Sequence, residues 1–240
     1  MKNTKWVRWG AVTAALIVTT PLSAQPRASV SLEDAAAIQS LVAAYARALG
    51  ECRAEDFADL FVPGTGYFAS GFRGHMVGRE RLVALVQSER HCTAPAAAAG
   101  APRPGGNAPT VTIESTPAGA RGVANLGTAE YQDEYTKTAD GWRFASRTVL
   151  IAAEKAAGLD AGELLAIYEL GGSGLGDYYE ADANGVSRLM TSGVRVSVTD
   201  GVVNGRAFLA GGGYDDQVYE RVSPGKWRVL SSVHVPAPTQ

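Results

Sequence analysis

Ile38, Leu41, Val42, Tyr45 and Leu49 recur at helical spacing and predict an amphipathic helix over residues 31–49. Ser31 is a good N-cap, Asp34 follows three residues on, and Gly50 ends the pattern. A shorter helix is predicted over 54–62, with Phe57, Leu60 and Phe61 inward and Pro63-Gly64 as its break. Residues 66–77 read as a hairpin, Tyr67 and Phe68 in one arm and Phe72 to Val77 in the other. A third helix over 79–90 packs Leu82, Leu85 and Val86. Residues 92–108, rich in Ala, Pro and Gly, predict an irregular loop. The period then changes to two, giving strands over 110–115, 121–126, 130–137 and 142–151, the last pair joined across Ala139-Asp140-Gly141. A helix over 160–170, a glycine cluster over 171–176 read as a flexible linker, and further strands complete the chain.

Clustered helices followed by antiparallel strands define an α+β class, with the helices packed on one sheet face. The strand region also repeats. Gly122 to Leu126 matches Gly205 to Leu209, Tyr131-Gln-Asp133 matches Tyr214-Asp-Asp216, and Trp142 matches Trp227, with Ser146 falling on Ser231. The C-terminal part therefore reads as a partial copy that lacks most of the helices.

The first segment reads as an address. Lys2, Lys5 and Arg8 precede an apolar run from Trp9 to Val18, followed by Pro21 and the small residues Ser23 and Ala24. This is the pattern of a secretory signal peptide over residues 1–24, cleaved after Ala24. The apolar run is too short for a bilayer, which needs ~20 residues. The expected location is periplasmic or secreted, with no membrane association after cleavage. Over the full 240 residues, 22 Lys+Arg against 24 Asp+Glu leave no basic footprint for nucleic acid. Export changes how the two cysteines read: Cys52 and Cys92 suggest one disulfide, with two buried thiols as the other possibility. Two Cys and three His are little material for a metal site, and no nucleophile elbow, phosphate loop or HExxH motif is present. No metal and no cofactor are expected.

The segments AAYARALG, AEDFADLF, FRGHMVGRERL and YQDEYTKTADGWRFASRTV, in that order, resemble the SnoaL-like group of the nuclear transport factor 2-like (NTF2-like) superfamily. The resemblance covers residues 30–151 directly and places a domain over 28–155, with a partial repeat over 156–240. It implies a cone, three helices packed in a curved antiparallel sheet, with a ligand cavity at the open end. The superfamily holds isomerases, cyclases, dehydratases, lyases and pure binding domains, so function rests on the site. Its cones often dimerise through their sheets, which makes a homodimer an expected partner state.

Tyr45 lies on the apolar stripe, so its hydroxyl points inward, as a pocket acid or as a satisfied core tyrosine. His91 ends the third helix, where family members commonly carry a histidine followed by an asparagine. Here that asparagine is Asn107, displaced by the 92–106 insertion. The histidine serves either acid–base chemistry or the helix C-terminus. Asp133 shares a strand face with Tyr131 and Tyr135. It is either a carboxylate of raised pKa able to act as a base, or part of a solvated face with Lys137. Arg73 either binds an anionic group or is an exposed turn cation. Tyr67, Asn107 and Tyr131 complete the expected substrate contacts. Two functions follow: a cofactor-free acid–base lyase, isomerase or dehydratase on a small hydrophobic or aromatic molecule, using Tyr45, His91, Asp133 and Arg73; or an exported binding or assembly module.

Overall fold

The computed structural model describes residues 30–93, 109–182 and 184–238, so the signal segment and Asn107 lie outside the described residues. Helix α1 (Leu32–Gly50) starts where expected, the Ser31 hydroxyl accepting the Asp34 amide at 3.0 Å. Helix α2 (Ala54–Ala58) is shorter than predicted, because the chain leaves it to bridge a strand at Phe61↔Phe144. Strands β1 (Tyr67–Ser70) and β2 (Gly74–Val77) form the expected hairpin. Helix α3 (Arg79–Gln87) stops early: the Ser88 hydroxyl donates to Leu85 O, and a separate turn, α4 (Arg90–Thr93), follows. Strands β3 (Thr112–Thr116), β4 (Gly119–Leu126), β5 (Ala129–Thr138) and β6 (Gly141–Leu150) match the predicted period-two segments. Helices α5 (Ala152–Ala156) and α6 (Ala161–Leu170) come next. The final strands are β7 (Asp177–Ala181), β8 (Ser187–Ser192), β9 (Val194–Thr199), β10 (Val202–Phe208), β11 (Tyr214–Ser223) and β12 (Lys226–Val235).

Two sheets result. The larger runs β3-β4-β5-β6-β1-β2-β8-β7, and the smaller β12-β11-β10-β9. Strand β8 joins the larger sheet through the single pair Gly74↔Ser192. Gly74 has φ +67, and a Cβ there would sit 2.1 Å from Ser192 O, so only glycine permits this junction.

Both faces of the larger sheet are covered. One packs Phe68, Met76, Tyr135 and Phe144 against Ile38, Val42 and Tyr45 of α1 and Leu82, Leu85 and Val86 of α3. On the other, Ala69 and Leu150 meet Leu164, Ile167 and Tyr168 of α6, and that core is closed by Val194, Val196, Val203 and Tyr219 of the smaller sheet. The second part of the chain thus lies on the outside of the first sheet. The glycine cluster belongs to this packing and is not a free link. Gly176 N–H donates to Phe208 O at 2.7 Å, and a Cβ on Gly176 would lie 2.7 Å from the Ala210 Cα.

Related contacts recur in the two sheets. Gly122 lies opposite Asp133 and against the Tyr135 ring; Gly205 lies opposite Gln217 and against the Tyr219 ring. The Tyr135 hydroxyl donates to Asp133 and the Tyr219 hydroxyl to Gln217, each at 2.6 Å. Gln217 therefore stands in the smaller sheet where Asp133 stands in the larger. The sequence match of Asp133 with Asp216 is out of step by one residue.

Candidate functional site

The bowl between α1, α3 and the larger sheet holds a polar cluster that alternation alone does not reveal. Asp133 and Arg147 face each other across the β5–β6 hairpin. Their pairing is bidentate, Nε to Oδ1 at 2.8 Å and Nη2 to Oδ2 at 2.7 Å, and each residue is 1 % exposed. The Arg147 guanidinium lies 4.0 Å from the Tyr45 ring centroid, 4.4 Å from Phe144 and 5.0 Å from Tyr131. Burial opposes its charge, but the Asp133 carboxylate more than compensates, and its pKa rises. Burial also drives the Tyr45 and Tyr135 hydroxyls well above the ordinary phenol range.

This arrangement corrects two expectations. Asp133 is neither on a solvated face nor an unpaired base among aromatics: both oxygens are engaged, Oδ2 also by the Tyr135 hydroxyl. Arg73 is not an exposed turn cation. It is 9 % exposed, its Nη1 donates to Ser88 Oγ at 2.9 Å and its Nη2 pairs with Glu89 at 2.8 Å. Strand β8 covers it, with Met190 O 3.4 Å from Nη1.

His91 sits in α4 with Nε2 2.9 Å from Leu49 O, beside the Cys52–Cys92 disulfide. Cys52, His91 and Cys92 cluster closely, but the two sulfurs are bonded to each other and are not free to ligate a metal. Tyr131 joins the Arg147 cluster. Tyr67 belongs elsewhere: its ring packs on the second core, edge-on to His75 at 4.5 Å. The expected site residues among those described thus divide into the cluster of Tyr45, Tyr131 and Asp133, the separate ion pair of Arg73, His91 beside the disulfide, and Tyr67 in the second core.

Tyr67 and His75 lead to a feature the sequence reading missed. Between β2, α6 and the β8–β9 turn lies a cleft of about 370 Å³, lined among others by His75, Arg81, Tyr168, Leu175, Asp177 and Ser192. The His75 ring stacks on Tyr168 at 5.8 Å. His75 Nε2 and the Tyr168 hydroxyl are both buried without a hydrogen-bond partner among the described residues. Burial, aided by the Arg81 charge, lowers the His75 pKa, so the ring is neutral near pH 7. Arg81 pairs with Asp177 at 3.1 Å in the cleft wall.

Residues 30–148 match the family model of the SnoaL-like domain. No curated protein matches the chain. Among solved structures, the chain is similar to an NTF2-like protein with a cystatin-like fold from Novosphingobium aromaticivorans, at 21 % identity over 52 % of this chain and 88 % of that one, TM-score 0.40. It is also similar to a Catenulispora acidiphila protein in complex with S-DNPA, at 22 % identity over 51 % and 96 %, TM-score 0.38. A ketosteroid isomerase-like protein from Erwinia carotovora atroseptica gives 16 % identity over 51 % and 98 %, TM-score 0.34. Helices, hairpin, third helix and four-stranded meander follow one another over the matched residues, and residues 30–148 are a SnoaL-like domain of the NTF2-like superfamily.

Proposed function

We propose that this chain is an exported SnoaL-like protein that binds a small hydrophobic or aromatic molecule in the cleft between β2 and α6. The observation that carries the reading is the cleft itself, whose lining includes His75 and Tyr168, two side chains that each hold a buried polar atom, Nε2 and the hydroxyl, without a hydrogen-bond partner among the described residues. Each such group left unsatisfied costs about 1–3 kcal/mol, and a ligand that reaches either one recovers part of that cost. The aromatic rings of His75 and Tyr168 and the side chain of Leu175 supply an apolar surface beside them. Within the bowl, Asp133 is not a free base, because Arg147 and Tyr135 hold both of its oxygens. Export rests on the N-terminal pattern, with which the Cys52–Cys92 disulfide agrees.

A second reading, cofactor-free acid–base catalysis, is favoured by the presence of an imidazole, His75, in the lining of the cleft. One experiment separates the two. Oxidised mature protein and its His75→Ala variant are incubated with hydroxylated aromatic dimers, polyketides and steroids, and both retention and conversion are followed by liquid chromatography–mass spectrometry. Compound retained unchanged by the parent and released by the variant supports binding. Conversion lost in the variant supports catalysis. Retention by neither, or equal retention by both, overturns the placement in this cleft.

A further inference from the structure

The outward face of the smaller sheet carries a groove that shares no lining residue with the cleft between β2 and α6. Strand register sets Arg195 opposite Arg206, Arg206 opposite Asp216, and Asp216 opposite Val233. These four side chains form one row across the sheet. The next row on the same face is Ser197, Asn204, Val218 and Ser231. Together they line a groove of about 440 Å³. Four strands at ~4.8 Å spacing make the row ~14 Å long, the length of a small organic molecule.

The charges along the row do not balance. Arg206 is held by Asp216, Nε to Oδ1 at 2.7 Å and Nη2 to Oδ2 at 3.1 Å. Arg73, buried nearby, is held by Glu89. Arg195 forms no salt bridge among the described residues. Its Nη2 donates to Thr191 Oγ1 at 3.2 Å, and its Nε is buried without a partner. Burial presses its pKa down; Glu180 and Tyr178 offset part of that, and the Arg206 and Arg73 charges add to it. The Arg195 guanidinium lies near three rings, 4.5 Å from the centroid of Phe72, 5.5 Å from Tyr178 and 5.8 Å from Phe208. Stacking on rings uses the face of a guanidinium and leaves its N–H edge for an acceptor. Arg195 lines the groove with no carboxylate within salt-bridge distance among the described residues, so its charge has no direct counter-ion.

We propose that this groove binds a small organic monoanion, with Arg195 as its counter-charge. One carboxylate neutralises the row. Hydroxyl or carbonyl groups on the ligand meet Ser197 and Asn204, and an apolar end lies toward Val233, which is 64 % exposed.

The test uses the whole mature chain, with sodium benzoate and neutral benzamide as probes, followed by amide chemical shifts. Benzoate is expected to titrate the Ser197 and Asn204 amides with a dissociation constant of ~1 mM, and benzamide to bind at least tenfold more weakly. Arg195→Met is expected to weaken benzoate at least tenfold, whereas His75→Ala leaves it unchanged, so failure here is separable from failure of the cleft reading. Equal binding of the two probes, shifts confined to other parts of the chain, or no saturation overturns the proposal. The parent comparison of benzoate with benzamide decides the matter if Arg195→Met does not fold.

Discussion

Trp142 donates its indole N–H to the Asp34 carboxylate at 2.8 Å, tying the β5–β6 hairpin to the first turn of α1. Lys137 binds the same oxygen at 2.7 Å, and the Ser31 hydroxyl reaches the other at 3.0 Å. The smaller sheet holds its helix in the same manner. Trp227 donates to Glu163 in the first turn of α6, Arg221 lies 3.4 Å from that carboxylate, and Gly225 N–H donates to it at 3.1 Å. In each case an acid three residues past the N-cap, placed where a negative charge is favourable, receives a tryptophan and a cation from one hairpin.

The two ties differ in burial, and so in cost. Glu163 is buried, whereas Asp34 keeps contact with water. Removing a hydrogen bond to a charged acceptor costs about 1.5–3 kcal/mol. Trp227→Phe is expected to lose an amount in that range, and Trp142→Phe clearly less, since water can replace the lost donor at the half-buried Asp34 but not at the buried Glu163. Urea midpoints of the two variants check the order, and a larger loss for Trp142→Phe contradicts it.

Hydrogen bonds from Lys137, Trp142 and Ser31 hold the Asp34 pKa down at about 2. Its folded value lies below its unfolded one, so the stability it contributes is present above about pH 4 and is lost as pH falls toward 2. Asp34→Asn should therefore lower the melting temperature at pH 6 and leave it nearly unchanged at pH 2. A difference that is constant with pH would show that charge has no part in this tie.

Arg147 neutralises Asp133 inside the bowl, and removing one partner strands the other. Breaking a buried pair this way costs about 3–5 kcal/mol, whereas replacing both partners with apolar groups is often far cheaper. Arg147→Met is expected to unfold at much lower urea than the parent, and Asp133→Leu/Arg147→Met to recover much of the loss. A double variant as unstable as the single one would mean that the pair stabilises the bowl beyond mutual neutralisation.

The Cys52–Cys92 bond closes a loop spanning 40 residues, worth ~4 kcal/mol in the chain-entropy model. Reduction with dithiothreitol should lower the urea midpoint accordingly, and mass spectrometry of protein recovered from the periplasm should show the oxidised form. Free thiols in that material would count against the bond, and absence of the protein from the periplasm against export.

Much of this architecture is local and was legible in the chain. The stripe Ile38, Leu41, Val42, Tyr45 marks the buried face of α1 because its partners need only be apolar. The Asp140-Gly141 turn predicts which residues of β5 and β6 meet, yet not the bulge between Glu134 and Tyr135, and the buried Arg147 escaped notice. The surroundings of Arg73, Tyr67 and His75 are not legible in the sequence for one shared reason. Each is covered by residues far along the chain: Met190 over Arg73, the α6 core against Tyr67, and Tyr168 against His75. Periodicity within the first half carries no information about a second half folded onto its outer face.

Glu154 lies under that second half and is buried beside Gly71, its Oε2 accepting the Ile151 amide at 2.9 Å. No cation pairs with it among the described residues, and burial raises its pKa, the Ile151 hydrogen bond offsetting only part. A folded value above the unfolded one means that ionisation weighs against the fold. The penalty is absent below about pH 4, where both states are protonated, and grows as pH rises through the interval between the two values. Glutamine keeps the acceptor for Ile151 and removes the charge. Glu154→Gln is therefore expected to melt higher than the parent at pH 7 and equally at pH 3.5. A variant less stable than the parent at pH 7 would show that the carboxylate, not merely an acceptor, is what this junction requires.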